Sequence, residues 1–483
     1  MEHLLRLAVA SGLKFPIDDR IDFSVIPNNV FGIFVGVNRS DQHRLRHWPE
    51  QVHGCLGYWD PMYQTMDKQL IVDKIKKLAY ESTWEDNRRL HFDHSIYVDL
   101  GASYLIYFML QPVMHVNEHG MILEKSELFD NKTYGLIVTD GQHNKATYLP
   151  NVFPDKDWNF IRQSILDKAS IVSGQVSFYA YECRIEQLTI TDYFLKPIQK
   201  FINNNYHDFV PYAINQNKLI IDKTEAIRNL AMIYDLLQMD QLNYSLSNQV
   251  KMAIKNNVSY YQKLFHQHEN YNRQASSFLL MNLYMIDPSN PDIPVIKNYL
   301  LGQLNLQDKL NQGLHSEHFT PIENNFELAQ ILLALIMVDP NNVTIIEEIN
   351  TVPHIDHHLD GNAELDIFRY NWFSKLTPFI RNKIYKYSLI NKIIKYIDTN
   401  PNHNETNYHV VEFEALSELH ANITDIKTQY RIEKYLADLM IKLEKRRNKY
   451  GFYQFLNGQT RFDITGHVMS GWYALLRKQN QPN

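Results

Sequence analysis

The sequence has little cysteine, since its 483 residues include two, Cys55 and Cys183. Two cysteines are too few for a disulfide framework, so we expect a reducing, cytoplasmic setting. The chain also lacks an apolar run of the roughly 20 residues that a membrane-spanning helix needs. Residues 1–12 lack the apolar core and cleavage site of a signal peptide. We therefore expect neither export nor a membrane as a partner.

A strong charge excess is also missing, because 48 basic and 54 acidic residues leave a net charge of -6 at pH 7. Such a mild acidic balance gives no field that would attract nucleic acid, so we predict no nucleic-acid partner. Hydrophobic residues make up 45% and charged residues 21%, as in ordinary globular proteins. The length favours two or three folded domains.

The first part of the chain alternates short apolar runs with turn residues. Residues 30–35, 96–100, 103–110 and 134–138 have the strand pattern, and residues 70–84 have helical spacing. These patterns predict an α+β domain over residues 1–190.

Beyond residue 192, one amphipathic helix follows another, which predicts an all-α domain over residues 197–483, joined to the first near residues 191–196. Asp240, Asp287 and Asp339 each follow an apolar helix and are 47 and 52 residues apart. This spacing favours a repeat of paired helices. The alternative is that these helices simply end at Asp and Pro.

Residues 52–57, Val-His-Gly-Cys-Leu-Gly, place a thiol between two glycines. On a strand, positions two apart point to the same face, so His53 is a candidate base for a nucleophilic Cys55. The alternative is that Cys55 is a small, buried packing residue. For Cys183, which lies in an alternating run, we expect ordinary strand packing.

Gly54 and Gly57 bracket main-chain amides that are candidates for an anion-binding nest, with a tight structural turn as the alternative. Tyr148 is a candidate ligand contact, with stiffening of a loop as the alternative.

The first part of the chain resembles the AMMECR1 family, whose hallmark is a Leu-Arg-Gly-Cys-Ile-Gly hexapeptide. Residues 52–57 match that hexapeptide, and residues 134–138, 148–152 and 157–158 continue the resemblance up to about residue 187. It implies an α+β fold with a larger and a smaller subdomain and the hexapeptide in the crevice between them. Many microbial members accompany a Memo-like and a radical-SAM protein. The family arginine is replaced by His53, and residues 39–51 resemble an enlarged insertion.

The second part of the chain resembles an (α/α) toroid of the six-hairpin kind found in glycoside-processing enzymes and epimerases. Residues 272–275, 324–334, 408–416 and 451–467 carry this resemblance. It implies that the starts of the inner helices converge on the mouth of a cavity.

Asp463 and His467 are four residues apart at the start of the last predicted helix, so they share one face. With Arg461, Arg273 and Glu412 they are candidates to bind a polyol or to act as acid and base. Helix capping and contacts between helices are the alternative.

A run of histidine and aspartate at residues 354–360 offers possible metal ligands. We expect this run in a loop and not on a helix, where a zincin places its histidine pair, so we interpret it as a solvated connection and predict no metal and no cofactor.

Three functions stay open. The chain is an enzyme that modifies a small or peptide-borne group at Cys55, with the toroid for recognition; a non-catalytic scaffold; or a carbohydrate-binding toroid with its site near Asp463 and His467. The partner is an unknown small molecule, carbohydrate or protein.

Overall fold

The protein is described by a computed structural model. The described residues are 1–17, 21–40, 52–86, 94–172, 175–215, 218–242, 244–267, 271–311, 325–351, 363–399, 405–455 and 457–479. The chain divides into two compact units. The N-terminal unit consists of Met1–Asp93 and Gly101–Tyr193, and the helical unit of His94–Leu100 and Phe194–Asn483.

The N-terminal unit is built on an antiparallel sheet. Its strands are β1 (Val30–Asn38), β2 (Val52–Trp59), β3 (Ser103–Val116), β4 (Met121–Ile122), β5 (Glu127–Leu128), β6 (Tyr134–Thr139), β7 (Lys145–Tyr148) and β8 (Ser177–Thr189). The main path runs β2-β1-β3-β8-β6-β7, and the short strands β4 and β5 extend from β3. The predicted α+β class of this part of the chain is confirmed.

Helices cover one face of that sheet. They are α1 (Glu2–Gly12), α2 (Lys68–Trp84) and α4 (Trp158–Ala169). Helix α3 (Ser95–Val98) belongs to the helical unit, and α5 (Ile190–Asn205) begins at the end of the N-terminal unit and continues into the helical unit. The apolar stripes of α1 and α2 pack against each other and the central strands, whereas α4 packs on β6 and β7. Every second side chain of a strand faces the side of the sheet without these helices, because successive residues of a strand point to opposite faces.

One predicted strand is wrong. The run at residues 96–100 forms the helix α3, which packs on helix α15 (Ile426–Glu444) of the helical unit. A short apolar run cannot distinguish a buried helical turn from a strand, since neither needs alternation when it is buried on all sides.

The remaining elements belong to the helical unit. They are β9 (Ala213–Asn215), β10 (Lys218–Ile220), α6 (Ala226–Gln241), α7 (Asn248–Gln267), α8 (Arg273–Ile286), α9 (Asp292–Asn311), α10 (Asn325–Val338), α11 (Val343–Thr351), α12 (Ala363–Leu376), α13 (Lys383–Thr399), α14 (Thr406–Asn422), β11 (Thr460–Arg461) and α16 (Phe462–Gln479). The three short strands pair in the order β10-β9-β11. The predicted helical character is confirmed.

Alternate helices of this unit pack in a closed order. Helix α6 packs against α8, α8 against α10, α10 against α12, α12 against α14 and α14 against α16, and α16 packs back against α6. The helices between them, α7, α9, α11, α13 and α15, each pack against one or two of these six. We call α6, α8, α10, α12, α14 and α16 the ring helices. In the part of the chain that is described, no helix is both long and apolar enough to cross a membrane.

Candidate functional site

Four charged or titratable side chains from four ring helices lie close together, and we call them the ring cluster. They are Asp235 of α6, Lys375 of α12, Glu414 of α14 and His467 of α16. Lys375 Nζ lies 2.5 Å from Glu414 Oε1, and His467 Nδ1 lies 2.7 Å from Glu414 Oε2. One carboxylate therefore joins an ammonium on one neighbouring helix to an imidazole on the other.

Further polar contacts complete the cluster. Asn371 Nδ2 donates to Glu414 Oε2 at 2.6 Å. Ser470 Oγ donates to Asp235 Oδ1 at 2.6 Å, which links α16 to α6. Side-chain exposure is 8% for Lys375, 1% for Glu414 and 27% for His467. Of these three, the imidazole has the most access to solvent or to a ligand.

The environment of the ring cluster shifts the pKa values of its two carboxyl groups in opposite directions. Burial, and then the nearby Glu414 charge, raise the pKa of Asp235 to about 7. Burial opposes the Glu414 carboxylate as well, yet Lys375 and His467 lower its pKa to about 2. Burial also opposes the His467 imidazolium, but Glu414 raises the pKa of His467 above its ordinary value. Near neutral pH, one carboxyl is thus ionised while the other still holds a proton for part of the time.

The predicted pair at the start of α16 lies next to this cluster. Asp463 binds the guanidinium of Arg461 through both carboxylate oxygens, with Nε 3.0 Å from Oδ1. Arg228 of α6 approaches the same carboxylate, with Nε 3.7 Å from Oδ2. Asp463 is close enough to His467 to favour its imidazolium form. The structure therefore brings Arg461, Asp463 and His467 together.

Two other predicted residues are separate from this group. Arg273 forms an ion pair with Glu327, with Nε 2.8 Å from Oε1, which joins the starts of α8 and α10. Glu412 is buried, and burial raises its pKa to about 7 against the opposing charge of Lys442 on α15. The glutamate of α14 that contacts His467 is Glu414 and not Glu412.

Cys55 lies on the sheet face of the N-terminal unit that is opposite α1 and α2. A Cβ atom at Gly36 of β1 would lie 3.5 Å from Tyr107 Cε2 and 3.7 Å from Cys55 Sγ. Phe34 and Trp59 stack with ring centroids 6.0 Å apart on this side. We call this surface, with Phe34, Gly36, Cys55, Gly57, Trp59, Tyr107 and Cys183, the Cys55 face. Its cysteines are half-buried thiols, and burial raises the pKa of Cys183 to about 12.

The predicted pairing of His53 with Cys55 is wrong. Gly54 of β2 pairs with Val37, but Val52 pairs with Asn38, so His53 is the extra residue of a β-bulge. A bulge breaks the alternation of side chains. His53 is buried, and its Nε2 lies 3.1 Å from the main-chain oxygen of Thr83 on α2, on the helix side of the sheet.

The comparisons with known proteins concern this N-terminal unit. Residues 13–188 match the model of the AMMECR1 family. This segment is an AMMECR1 domain. A crystal structure of Uncharacterized Protein PH0010 from Pyrococcus horikoshii is similar, with 20% sequence identity, a TM-score of 0.30, and coverage of 38% of this chain and 90% of that chain. No curated protein matches the chain.

The glycines of the AMMECR1 hexapeptide serve close packing. A Cβ atom at Gly54 would overlap the main-chain oxygen of Ser82 on α2, and one at Gly57 would overlap the Phe34 ring. The segment is a strand, so the alternative of a tight turn at these glycines is wrong. The amide of Cys55 donates to Asp86 Oδ2 at 2.9 Å, and that of Leu56 to Ser82 Oγ at 3.1 Å. These two amides of the predicted anion nest are therefore bound by the domain's own side chains.

Tyr148 of the AMMECR1 domain packs rather than opening onto a site. Its hydroxyl lies 2.8 Å from Ser164 Oγ, its ring meets Phe153 edge to face, and Lys168 Nζ lies 4.6 Å from its centroid. Loop packing explains this residue without a ligand. The histidine and aspartate run at residues 354–360 lies outside the described residues.

Sequence reasoning missed Asp235, Lys375 and Glu414. Each is a charged residue within an apolar stretch of a ring helix, as in Val-Val-Glu-Phe-Glu-Ala-Leu around Glu414. A charge at such a position is costly to bury, and that cost was the available signal.

Proposed function

We propose that the helical unit is an (α/α) toroid and that it binds a carbohydrate at the end of the ring marked by Arg461, Asp463 and His467. In this proposal the chain has two domains, over residues 1–190 and 197–483. The closed packing order of the six ring helices supports the toroid, because a ring with an outer helix between successive inner ones is the arrangement of that fold.

The observation that carries the proposal is the charge buried between the ring helices. Taking an ammonium and a carboxylate out of water costs several kcal/mol for each ion, and a well-packed apolar core is often as stable or more stable. Lys375 and Glu414 are 8% and 1% exposed, and four ring helices supply the ring cluster. Titratable groups gathered in this way are more typical of functional sites than of cores.

The surrounding chemistry favours a polyhydroxylated ligand. Among the described residues, Asn371 Oδ1 and Ser417 Oγ are buried and without a hydrogen-bond partner. Next to His467, Asp463 is held by Arg461, whose guanidinium carbon lies 5.4 Å from the centre of the Phe455 ring. Sugars present alternating donors and acceptors beside apolar C–H faces, and a site of charged groups next to aromatic rings is complementary to them.

Thermal unfolding of the full chain against a panel of mono- and oligosaccharides tests this proposal. A ligand that binds the native state raises its stability, by about 2.7 kcal/mol at 100 times the dissociation constant. We expect a rise in melting temperature with at least one saccharide, lost in Arg461→Ala and kept in the control Arg431→Ala. Arg431 pairs with Asp398 on the outer helices. Absence of any shift at millimolar saccharide would refute the carbohydrate site.

A second candidate function concerns the AMMECR1 domain. The half-buried thiol of Cys55 beside the stacked Phe34 and Trp59 rings favours a binding role for the Cys55 face. Aromatic side chains supply large contact areas, and the indole N–H of Trp59 adds a polar group, which suits recognition of small or peptide-borne groups. An enzyme that uses His53 as its base has no such support. Alkylation of the two cysteines, described in the Discussion, tests the accessibility that this role requires.

A further inference from the structure

We propose that Lys375 is a positioning residue that controls the proton of His467 through Glu414. The proposal deepens the carbohydrate site and rests on it for its biological meaning. It makes His467 the ligand-facing group of the ring cluster, able to donate a proton to a ligand hydroxyl or to accept one from it. Lys375 and Glu414 act through His467.

The geometry defines the direction of this chain of contacts. The two oxygens of one carboxylate are divided between Lys375 at 2.5 Å and His467 at 2.7 Å. Side-chain exposure rises to 27% at His467, so this series of contacts leads from a buried ammonium to a partly accessible imidazole. Because Nδ1 of His467 faces the carboxylate, Nε2 is the ring nitrogen that can face a ligand.

Glu414 itself is poorly placed to meet a ligand. Oε1 contacts Lys375, and Oε2 accepts from both His467 and Asn371. Glycoside hydrolysis usually needs two carboxyl groups that flank the scissile bond. In Asp235, Oδ1 accepts from Ser470 and Oδ2 lies against Gly466. The imidazole is therefore the member of the ring cluster best placed for proton transfer.

The acidic groups that act on His467 come from three ring helices. Glu414 of α14, Asp235 of α6 and Asp463 of α16 all favour the imidazolium form. Lys375 of α12 has the opposite effect, because its ammonium lowers the pKa of Glu414 and so makes that carboxylate a weaker acceptor of the His467 proton. Without Lys375, the buried Glu414 and His467 would share one proton and release it at higher pH. Without the carboxylate, burial would leave His467 neutral.

Two substitutions should therefore move the titration of His467 in opposite directions. We expect Glu414→Gln to lower the pKa of His467 and Lys375→Met to raise it, each by about one unit or more. A general loss of packing would not produce shifts of opposite sign. The double variant should resemble Glu414→Gln, since Lys375 acts through the carboxylate.

The measurement is an NMR titration of the full chain labelled with ¹³C and ¹⁵N histidine, in which the His467→Gln spectrum identifies the His467 signal among 21 histidines. Shifts of the same sign, or no shift in a folded Lys375→Met protein, would overturn the proposal. If that variant does not fold, the wild type still decides, because neutral His467 should carry its proton on Nδ1. The Nε2-protonated tautomer would overturn it. The titration needs no ligand, so its failure is distinguishable from failure of saccharide binding.

Discussion

Asp235 Oδ2 occupies the space beside Gly466 where a Cβ atom would otherwise lie. This contact joins α6, the first ring helix, to α16, the last, and so lies where the ring closes. At the same contact between α6 and α16, Ser470 donates to Asp235 Oδ1. A residue without a side chain at position 466 thus allows a buried carboxyl group to sit against the opposite helix.

Replacing Gly466 with alanine should therefore weaken ring closure. The new methyl group must displace Asp235, and overpacking of this kind costs about 1–3 kcal/mol. Thermal or urea unfolding measures the loss. The matched control is Gly302→Ala in α9, where a Cβ atom meets nothing within 4 Å. Alanine favours a helix over glycine by about 1 kcal/mol, so the control should be neutral or more stable. Equal effects in the two variants would contradict this account.

The carboxyl group of Asp235 should make stability depend on pH. Its pKa is raised to about 7 in the folded chain, mainly by burial and then by Glu414, whereas an unfolded Asp titrates near about 3.9. Between these values the unfolded state binds fewer protons than the folded state, so this group makes stability fall as pH rises from about 4 to about 7.

Asp235→Asn removes that contribution. We expect the free energy of unfolding to decrease less between pH 5 and pH 8 in this variant than in the wild type, as measured by urea titration at each pH. Asp438→Asn, at an exposed position of α15, is the control and should keep the wild-type dependence. The prediction fails if Asp235→Asn and the wild type lose the same stability over this range.

Gly54 in the hexapeptide strand β2 and Gly36 in the paired strand β1 should differ in their tolerance of alanine. At Gly54 a Cβ atom would overlap the main-chain oxygen of Ser82, so α2 must move away from β2. At Gly36, on the paired strand, the nearest atom is Tyr107 Cε2 at 3.5 Å, an ordinary contact. We expect Gly54→Ala to cost about 1–3 kcal/mol and Gly36→Ala less than about 1 kcal/mol in urea unfolding. The reverse order would show that close packing does not explain Gly54.

Much of the fold was predictable because periodicity reports burial. The strand at residues 30–35 and the helix at residues 70–84 were found because one face of each is apolar. The run at residues 96–100 was misassigned, since an element buried on every side has no periodicity to detect. The bulge at His53 was also unpredictable. It depends on the pairing of β2 with β1, which local sequence does not specify.

The candidate site was predictable only in part. Asp463 and His467 were found because a four-residue spacing fixes their shared helix face. Glu414 was missed in favour of Glu412, since both lie among apolar residues of one helix. Which of two positions about 200° apart faces His467 depends on how α14 is rotated against its neighbours, and that is a property of the tertiary structure.

The two cysteines should differ in reactivity, and neither should depend on His53. The thiolate is the form that iodoacetamide attacks. With its pKa raised to about 12, Cys183 is ionised at pH 8 in about one molecule in 10,000. We expect Cys55, measured in Cys183→Ser, to be alkylated at least tenfold faster than Cys183, measured in Cys55→Ser.

His53→Ala should leave the Cys55 rate within about twofold, because the imidazole lies against Thr83 on the other side of the sheet. Mass spectrometry of timed samples gives both rates, and the unfolded chain supplies the reference rate. A large decrease of the Cys55 alkylation rate in His53→Ala would instead support His53 as the base of Cys55. Alkylation of Cys55 no faster than that of Cys183 would instead mean that the Cys55 face is closed to small molecules.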